Sequence, residues 1–190
     1  PSLYRASASI KAGGIVETID LGRIGFRTIE VDRGADGKGF GLVVNGTPVF
    51  CRGACWTPLG LARLCAEPAE YRTALEQLRS AGMNMVSVGG TMSYETDVFH
   101  AVCDDIGILV WQDLMFANMD YPWEDEAFAR SVALEDTETP DRHQSRPSLA
   151  VVCGSREVEQ QAPMLGLPES RRPHLSEGLL PDLVQTMAPA

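Results

Sequence analysis

The chain has 190 residues, enough for one large domain or for one domain and part of another. Hydrophobic residues make up 44% and charged residues 22%, which is ordinary for a globular protein and excludes overall disorder. The formal net charge of −10 argues against binding to a nucleic acid or to an anionic membrane, because both attract Lys and Arg. A neutral ligand such as a sugar is compatible with this charge.

The first 50 residues have the pattern of antiparallel strands. Residues 24–31 alternate apolar and polar side chains, as a half-buried strand does, and the Gly- and Asp-rich residues 32–39 predict a loop. Residues 40–44 and 47–52 predict two further strands. The Asn-Gly pair at 45–46 predicts the hairpin turn between them, since both turn positions need positive φ.

From about residue 50 onward, short apolar strands alternate with helical patterns. The strands are predicted at residues 49–54, 83–88, 108–111 and 148–153, and the helices at residues 68–81, 95–105, 124–134 and 157–165. We expect Pro140 to prevent the third helix from extending further. Such alternation is typical of a parallel sheet covered by helices.

Two architectures fit this alternation: an open doubly wound sheet and a (β/α)8 barrel cut in half. The first strand-to-helix turn, residues 53–58, lacks the GxGxxG and GxxxxGK[ST] patterns that bind nucleotide phosphates. A nucleotide-binding sheet is therefore not favoured. In a parallel barrel, the C-terminal ends of the strands carry the site.

The five cysteines do not form a pattern typical of a metal site or a disulfide framework. Their number is odd, no CxxC pair occurs, and the three histidines are not close in sequence to Cys51 and Cys55. We therefore expect reduced thiols and a cytoplasmic protein. No run of 18 apolar residues is present, so no membrane-spanning helix is predicted.

The residues that follow the predicted strands combine aromatics, carboxylates and amides, a combination that suits a carbohydrate. Simpler explanations exist for some of them: Trp111 as strand-end core, Asp113 as the cap of a turn, and Glu157 as the acidic first turn of a helix. The candidate ligand-binding residues, in chain order, are Trp56, Trp111, Asp113, Asn118, Arg156 and Glu157.

Five segments, in this order and spacing, resemble glycoside hydrolase family 2, and most closely its β-mannosidase branch. They are LGRIGFRTIEV, VNGTPVFCRGACWTP, AGMNMVSVGGTMSYE, DDIGILVWQDLMFANMDYP and PSLAVVCGSREVEQQ. The resemblance covers about residues 20–170. It implies an α/β fold: residues 1–48 would be the last strands of an immunoglobulin-like β-sandwich, and residues 49–190 strands one to four, the first half, of a (β/α)8 TIM barrel.

The resemblance also implies a retaining glycosidase that removes terminal β-linked mannose from oligosaccharides. In that mechanism one carboxylic acid protonates the leaving oxygen, and a second carboxylate about 5 Å away forms a glycosyl-enzyme intermediate. Glu157 matches the family's general acid/base position. It would lie in a sugar-sized cleft lined by Trp56, Trp111, Asp113, Asn118 and Arg156. The resemblance implies neither a metal nor an organic cofactor.

The chain departs from the family in three places. Arg156 stands where an Asn usually precedes the acid/base Glu, and a cation there favours the ionised form of Glu157, which weakens it as a proton donor. Ser87 stands where strand two usually carries an Arg that helps to place the nucleophile. The nucleophile itself belongs to a later strand. We therefore expect an incomplete chain, inactive alone, whose partner is the missing C-terminal half of the barrel.

Two other functions are compatible with the sequence. One is a catalytically inactive carbohydrate-binding remnant, which Arg156, Ser87 and the missing nucleophile favour. The other is a different family 2 activity, such as that of a β-galactosidase or a β-glucuronidase. In each case the expected partner is an oligosaccharide or glycoside, and neither a nucleic acid nor a membrane.

Overall fold

A computed structural model describes residues 2–60, 62–119, 121–122, 125–143 and 145–166 of the chain. The described residues form nine strands and four helices, arranged as two antiparallel sheets followed by one parallel sheet. Within these ranges, every helix is too short or too polar to cross a membrane.

The antiparallel part comes first in the chain. A hairpin pairs β1 (Tyr4–Ala12) with β2 (Ile15–Ile24), and a three-stranded sheet has the order β3 (Ile29–Asp32), β4 (Gly41–Val44), β5 (Thr47–Val49). The predicted turn between β4 and β5 is confirmed: Asn45 and Gly46 have φ of 51° and 73°.

The β1–β2 hairpin is absent from the sequence-based prediction. Its turn is Gly13-Gly14, and both glycines adopt positive φ. The apolar side chains of the hairpin remain exposed, and Ile15 for example is 73% exposed. Residues 4–12 nevertheless alternate apolar and polar side chains, so the sequence does carry a strand signal here.

The single strand predicted at residues 24–31 is corrected: β2 ends at Ile24, and a separate strand, β3, begins at Ile29. Arg27, between them, donates hydrogen bonds from Nε to the carbonyl oxygen of Pro147 at 2.9 Å and from Nη2 to that of Leu149 at 2.5 Å. These bonds attach the antiparallel part to the start of the last parallel strand. The residues between β2 and β3 therefore do not continue the β1–β2 sheet.

The parallel sheet follows, with its strands in sequence order: β6 (Gly53–Trp56), β7 (Met85–Val88), β8 (Leu109–Asp113) and β9 (Leu149–Cys153). Each strand precedes one helix: α1 (Pro68–Ser80), α2 (Asp97–Ile106), α3 (Glu126–His143) or α4 (Val158–Met164). The predicted alternation of strands and helices is therefore confirmed. Local signals fix the helix ends; Thr96, for example, accepts from the Phe99 N–H at the start of α2, and Gly107 ends that helix with φ of 75°.

Helix α3 is longer than predicted. It continues through Pro140 to His143, which corrects the expected break at that proline. His143 is buried, and its ring centroid lies 4.3 Å from that of the buried His100 in α2. This packing between the two helices stabilises the last turn of α3, despite the main-chain hydrogen bond that a proline removes.

The helices cover one face of the parallel sheet. Val86, Val88 and Val110 point to this face and pack in one cluster with side chains of α1 and α2. Val152 contacts this cluster and also the second one, which includes Val132 of α3 and Val158 of α4. All four helices therefore lie on the same side. Because side chains alternate along a strand, the neighbouring positions face the opposite, open side.

A buried carboxylate joins β6, α1 and the start of α2 on the helix side. Glu95 is 2% exposed. Its carboxylate accepts hydrogen bonds from the Trp56 indole at 2.7 Å, the Tyr71 hydroxyl at 2.5 Å and the Thr96 N–H at 3.4 Å. A carboxylate in this position is costly unless donors surround it. The three donors therefore connect elements that are far apart in sequence.

We expect Tyr71→Phe to lower the free energy of unfolding by about 1.5–3 kcal/mol, since the Glu95 carboxylate would lose one of its buried donors. Tyr4→Phe is the matched control: Tyr4 is 57% exposed in β1, and its change should stay within about 0.5 kcal/mol. Urea unfolding followed by tryptophan fluorescence measures both values. Equal effects of the two variants would contradict this role of Tyr71.

Candidate functional site

The open face of the parallel sheet carries the candidate site at the C-terminal ends of its strands. Cys55, Ser87 and Trp111 are register partners across β6, β7 and β8, and Asp113 is the register partner of Cys153 on β9. Register partners in a sheet point to the same side. These side chains therefore share the face that the helices do not cover.

Asp113 is the buried carboxylate of this face, with only 3% of its surface exposed. It accepts a hydrogen bond from the Trp111 indole at 2.9 Å and another from the Gly90 main chain, and its Oδ2 lies 3.6 Å from Nη1 of Arg156. Burial raises the pKa of Asp113, although Trp111, Arg156 and Gly90 each oppose that shift. The carboxylate is thus engaged by protein groups and orients them.

The main chain of Arg156 extends the pairing of β8 and β9 beyond the ends of these strands. Its N–H donates to the Phe116 carbonyl at 2.8 Å, and its carbonyl accepts from the Asn118 N–H at 3.1 Å. The Asn118 side chain is exposed, and its backbone has a left-handed φ of 56°. The two main-chain hydrogen bonds fix the point at which the chain leaves the sheet and enters α4.

The side chain of Arg156 crosses the strand ends. From its position after β9 it reaches Asp113 on β8, and Nη2 lies 3.8 Å from the Cys55 sulfur on β6. On its way it passes Gly89, where an added Cβ would lie only 3.2 Å from Nη1. Neighbouring Asp113, Cys55 and Glu157 all raise the pKa of Arg156, with the Cys55 contact as the largest cause.

Glu157, the candidate acid/base, is the last residue before α4. Its side chain is exposed, and its backbone adopts a left-handed φ of 59°. Residues other than glycine are uncommon in this region and are concentrated at functional sites. The carboxyl group therefore lies beside Arg156 at the end of the fourth parallel strand, and does not belong to the first turn of the helix.

Trp111 lies on the open face, half-buried. Its ring centroid is 5.8 Å from that of Phe40, which belongs to the stretch before β4, and its indole N–H is used by Asp113. The antiparallel part of the chain therefore contacts the site through this ring pair. Only the uncovered part of the Trp111 ring is left for a ligand.

Trp56 does not join this group, which corrects the expectation that it lines the same cleft. Its register partner is Val88, so its side chain points to the helices. There it is 8% exposed, donates to Glu95 and lies 5.1 Å from the Phe99 ring, measured between centroids. The indole of Trp56 is a core residue, and the residue before it, Cys55, is the one on the open face.

Cys55 and Gly90 were not among the predicted site residues. Strand alternation places either Cys55 or Trp56 on the open face, and the sequence alone does not show which of the two it is. Gly90 was too weak a signal in the sequence, yet a Cβ at this position would collide with the Leu114 carbonyl oxygen. Across the described ranges, no three His, Cys, Asp or Glu side chains are grouped to bind a metal.

The relatives found by sequence and those found by structure both include β-mannosidases. No family model matches the chain. β-Mannosidase B of Aspergillus niger is 32% identical over 204 residues, covering 99% of this chain and 24% of that protein. The crystal structure of a β-D-mannosidase from Dictyoglomus thermophilum matches with a TM-score of 0.80 and 31% identity, over 96% of this chain and 23% of that one. The chain thus spans about a quarter of the length of the relatives it matches.

A more distant structure shows the fold alone. The exo-chitosanase of Amycolatopsis orientalis matches with a TM-score of 0.63 and 21% identity, over 78% of this chain and 18% of that one. Such enzymes share with this chain a mixed α/β fold that contains a parallel sheet and helices.

We expect Gly90→Ala to lower the free energy of unfolding by about 1–3 kcal/mol and to disturb the Asp113 carboxylate, because the new methyl group would collide with the Leu114 carbonyl oxygen. Gly41→Ala is the control, since its Cβ would have ordinary contacts of 3.6 Å or more. Urea unfolding and the NMR signal of the Trp111 indole N–H measure the two effects. An unchanged indole signal in Gly90→Ala would contradict this geometry.

Proposed function

Since this chain is related to the β-mannosidases of glycoside hydrolase family 2, we propose that it provides the acid/base side of a retaining β-mannosidase site. The reaction is the removal of terminal β-linked mannose from an oligosaccharide or other glycoside. One observation carries the proposal: Glu157 presents an exposed carboxyl group on the residue that follows the Arg156 main-chain bridge, at the end of the fourth parallel strand.

The proposed architecture is the end of an immunoglobulin-like sandwich, residues 1–48, followed by strands one to four of a TIM barrel within residues 49–190. Two features support it. The parallel strands follow sequence order with all helices on one face, whereas a doubly wound sheet has helices on both. Large apolar side chains are exposed, including Phe26 at 77% and Phe50 at 82%, and further protein would cover them.

In the proposed mechanism, Glu157 protonates the glycosidic oxygen as the leaving group departs. It then acts as the base that activates water against the glycosyl-enzyme intermediate. The second carboxylate must lie about 5 Å from the first. Asp113 is buried and engaged by Trp111, Gly90 and Arg156. We therefore assign the nucleophile to another part of the protein and not to Asp113.

The exposed donors beside Glu157 are the proposed sugar contacts. The Asn118 amide and the Arg156 guanidinium can donate to hydroxyl groups, and the free part of the Trp111 ring can pack on sugar C–H groups. The cysteines are free thiols, which fits a reducing compartment, and we propose the cytoplasm.

A second candidate function is sugar binding without turnover. Arg156 favours it, because Arg156 stands where the family that the sequence resembles usually has an Asn before the acid/base Glu. The two functions share the same ligand and the same open face. They differ in whether the glycosidic bond is broken.

The test titrates the chain with 4-nitrophenyl β-mannoside, with the α-anomer and with the corresponding β-glucuronide. We expect the β-mannoside alone to shift the amide NMR signals of Asn118, Arg156 and Glu157. Any nitrophenol release should fall at least about 100-fold in Glu157→Gln, since general acid catalysis contributes that much. It should be unchanged in the control Glu126→Gln, because Glu126 is exposed at the start of α3.

Each outcome separates the alternatives. In a protein that also includes the part with the nucleophile, binding without release favours the non-catalytic function. A response to the glucuronide instead of the mannoside corrects the substrate class. Release that persists in Glu157→Gln refutes the acid/base assignment. If none of the three glycosides shifts the NMR signals or releases nitrophenol, the proposed function of this chain is contradicted.

A further inference from the structure

We propose that Asp113 is a positioning residue for Glu157 and acts through Arg156. By holding the guanidinium over the strand ends, Asp113 prevents Arg156 from forming an ion pair with the Glu157 carboxylate. The inference goes beyond the proposed function, and depends on it only for the role of Glu157 as the acid/base.

Asp113 and Glu157 are two carboxylates that share one guanidinium. Both interact electrostatically with Arg156. Asp113 is fixed on the sheet by the Trp111 indole and the Gly90 main chain, so little side-chain entropy is lost when it meets the cation. Glu157 is exposed and would have to be ordered in order to pair, and an exposed ion pair stabilises little. The geometry therefore favours Asp113 as the partner.

The Arg156 side chain reaches from the end of β9 to β8 and β6, and both its main chain and its guanidinium are held in place. Its main chain forms hydrogen bonds with the loop after β8, at the two residues that flank Ala117. Its guanidinium is held between Asp113 and the Cys55 sulfur, on strands that lie two apart in the sheet. A guanidinium held in this way points along the strand ends and leaves the Glu157 carboxyl free to meet a leaving group.

The charges around this pair come from every strand end that faces it. Among the described residues, Asp113 on β8 and the thiol of Cys55 on β6 lie against the guanidinium, and Glu157 follows it in the chain. The Cys153 thiol on β9 also interacts with Asp113 and Arg156, and burial raises its pKa, so it stays neutral. When the Asp113 charge is removed, the guanidinium is left with Glu157 as its carboxylate partner in this group.

The experiment follows the carboxyl carbon of Glu157 by NMR during a pH titration of the whole chain. Glu157→Gln, which removes that signal, identifies it. We expect Asp113→Asn to lower the titration midpoint by about one pH unit, since a guanidinium released towards Glu157 favours the charged form. Arg156→Gln should change the midpoint by less than about 0.3 units, because Asp113 already holds the guanidinium away from Glu157. In the double variant, the midpoint should equal that of Arg156→Gln, because no cation is left to respond.

The matched control is Asp32→Asn, which removes a carboxylate at the end of β3 that accepts a hydrogen bond from the Gly34 N–H. It should leave the Glu157 midpoint within about 0.2 units. A midpoint that is unchanged or raised in Asp113→Asn would overturn the proposal.

The folding of Asp113→Asn is verified by the Trp111 indole signal, since the amide oxygen can still accept that N–H. If this variant does not fold, Arg156→Gln decides: a nearly unchanged midpoint supports the separation of the guanidinium from Glu157, and a rise of about one unit reveals the ion pair that the proposal excludes and overturns it. Glycoside binding is a separate measurement, so failure of the proposed function and failure of this inference are distinguishable.

Discussion

Strand alternation is the constraint on which the rest of this structure depends. Four short parallel strands expose every second side chain to helices packed on one face, and that face has an apolar core that encloses the carboxylate of Glu95. In the part of the chain that the structure describes, no helix packs on the intervening residues. Chemistry is therefore confined to the open face, where the strand ends bring Cys55, Trp111 and Asp113 together from distant parts of the sequence.

The open face is organised by charge as much as by shape. A buried carboxylate needs donors, and Asp113 obtains them from an indole, a main-chain N–H and a guanidinium on three different segments. The same guanidinium lies beside the carboxyl group on which the proposed reaction depends. The Trp111 ring extends the chain of contacts to Phe40, so the antiparallel part of the molecule supports the site from the other side.

Much of the parallel sheet could be predicted from the sequence, because buried parallel strands are continuous apolar runs and amphipathic helices have a clear period. The β1–β2 hairpin is missing from the prediction although residues 4–12 alternate apolar and polar side chains before a Gly-Gly turn. The sequence also does not show that Trp56 points to the helices. A shift of one residue along a strand moves a side chain to the opposite face of the sheet, and composition does not reveal such a shift. The engagement of Asp113 depends on three segments that meet only in the folded chain.

Arg156 shows why a single position can change a site. An Asn there, as is usual in the family that the sequence resembles, is too short to cross from β9 to β6. The guanidinium makes that crossing because Gly89 leaves room for it and because Asp113 at the end of β8 supplies the opposite charge. The cation is thus tolerable beside a candidate proton donor only together with the buried carboxylate. Arg156 and Asp113 are best understood as one unit, in which the carboxylate sets where the positive charge lies and the main-chain bridge sets where the next residue begins.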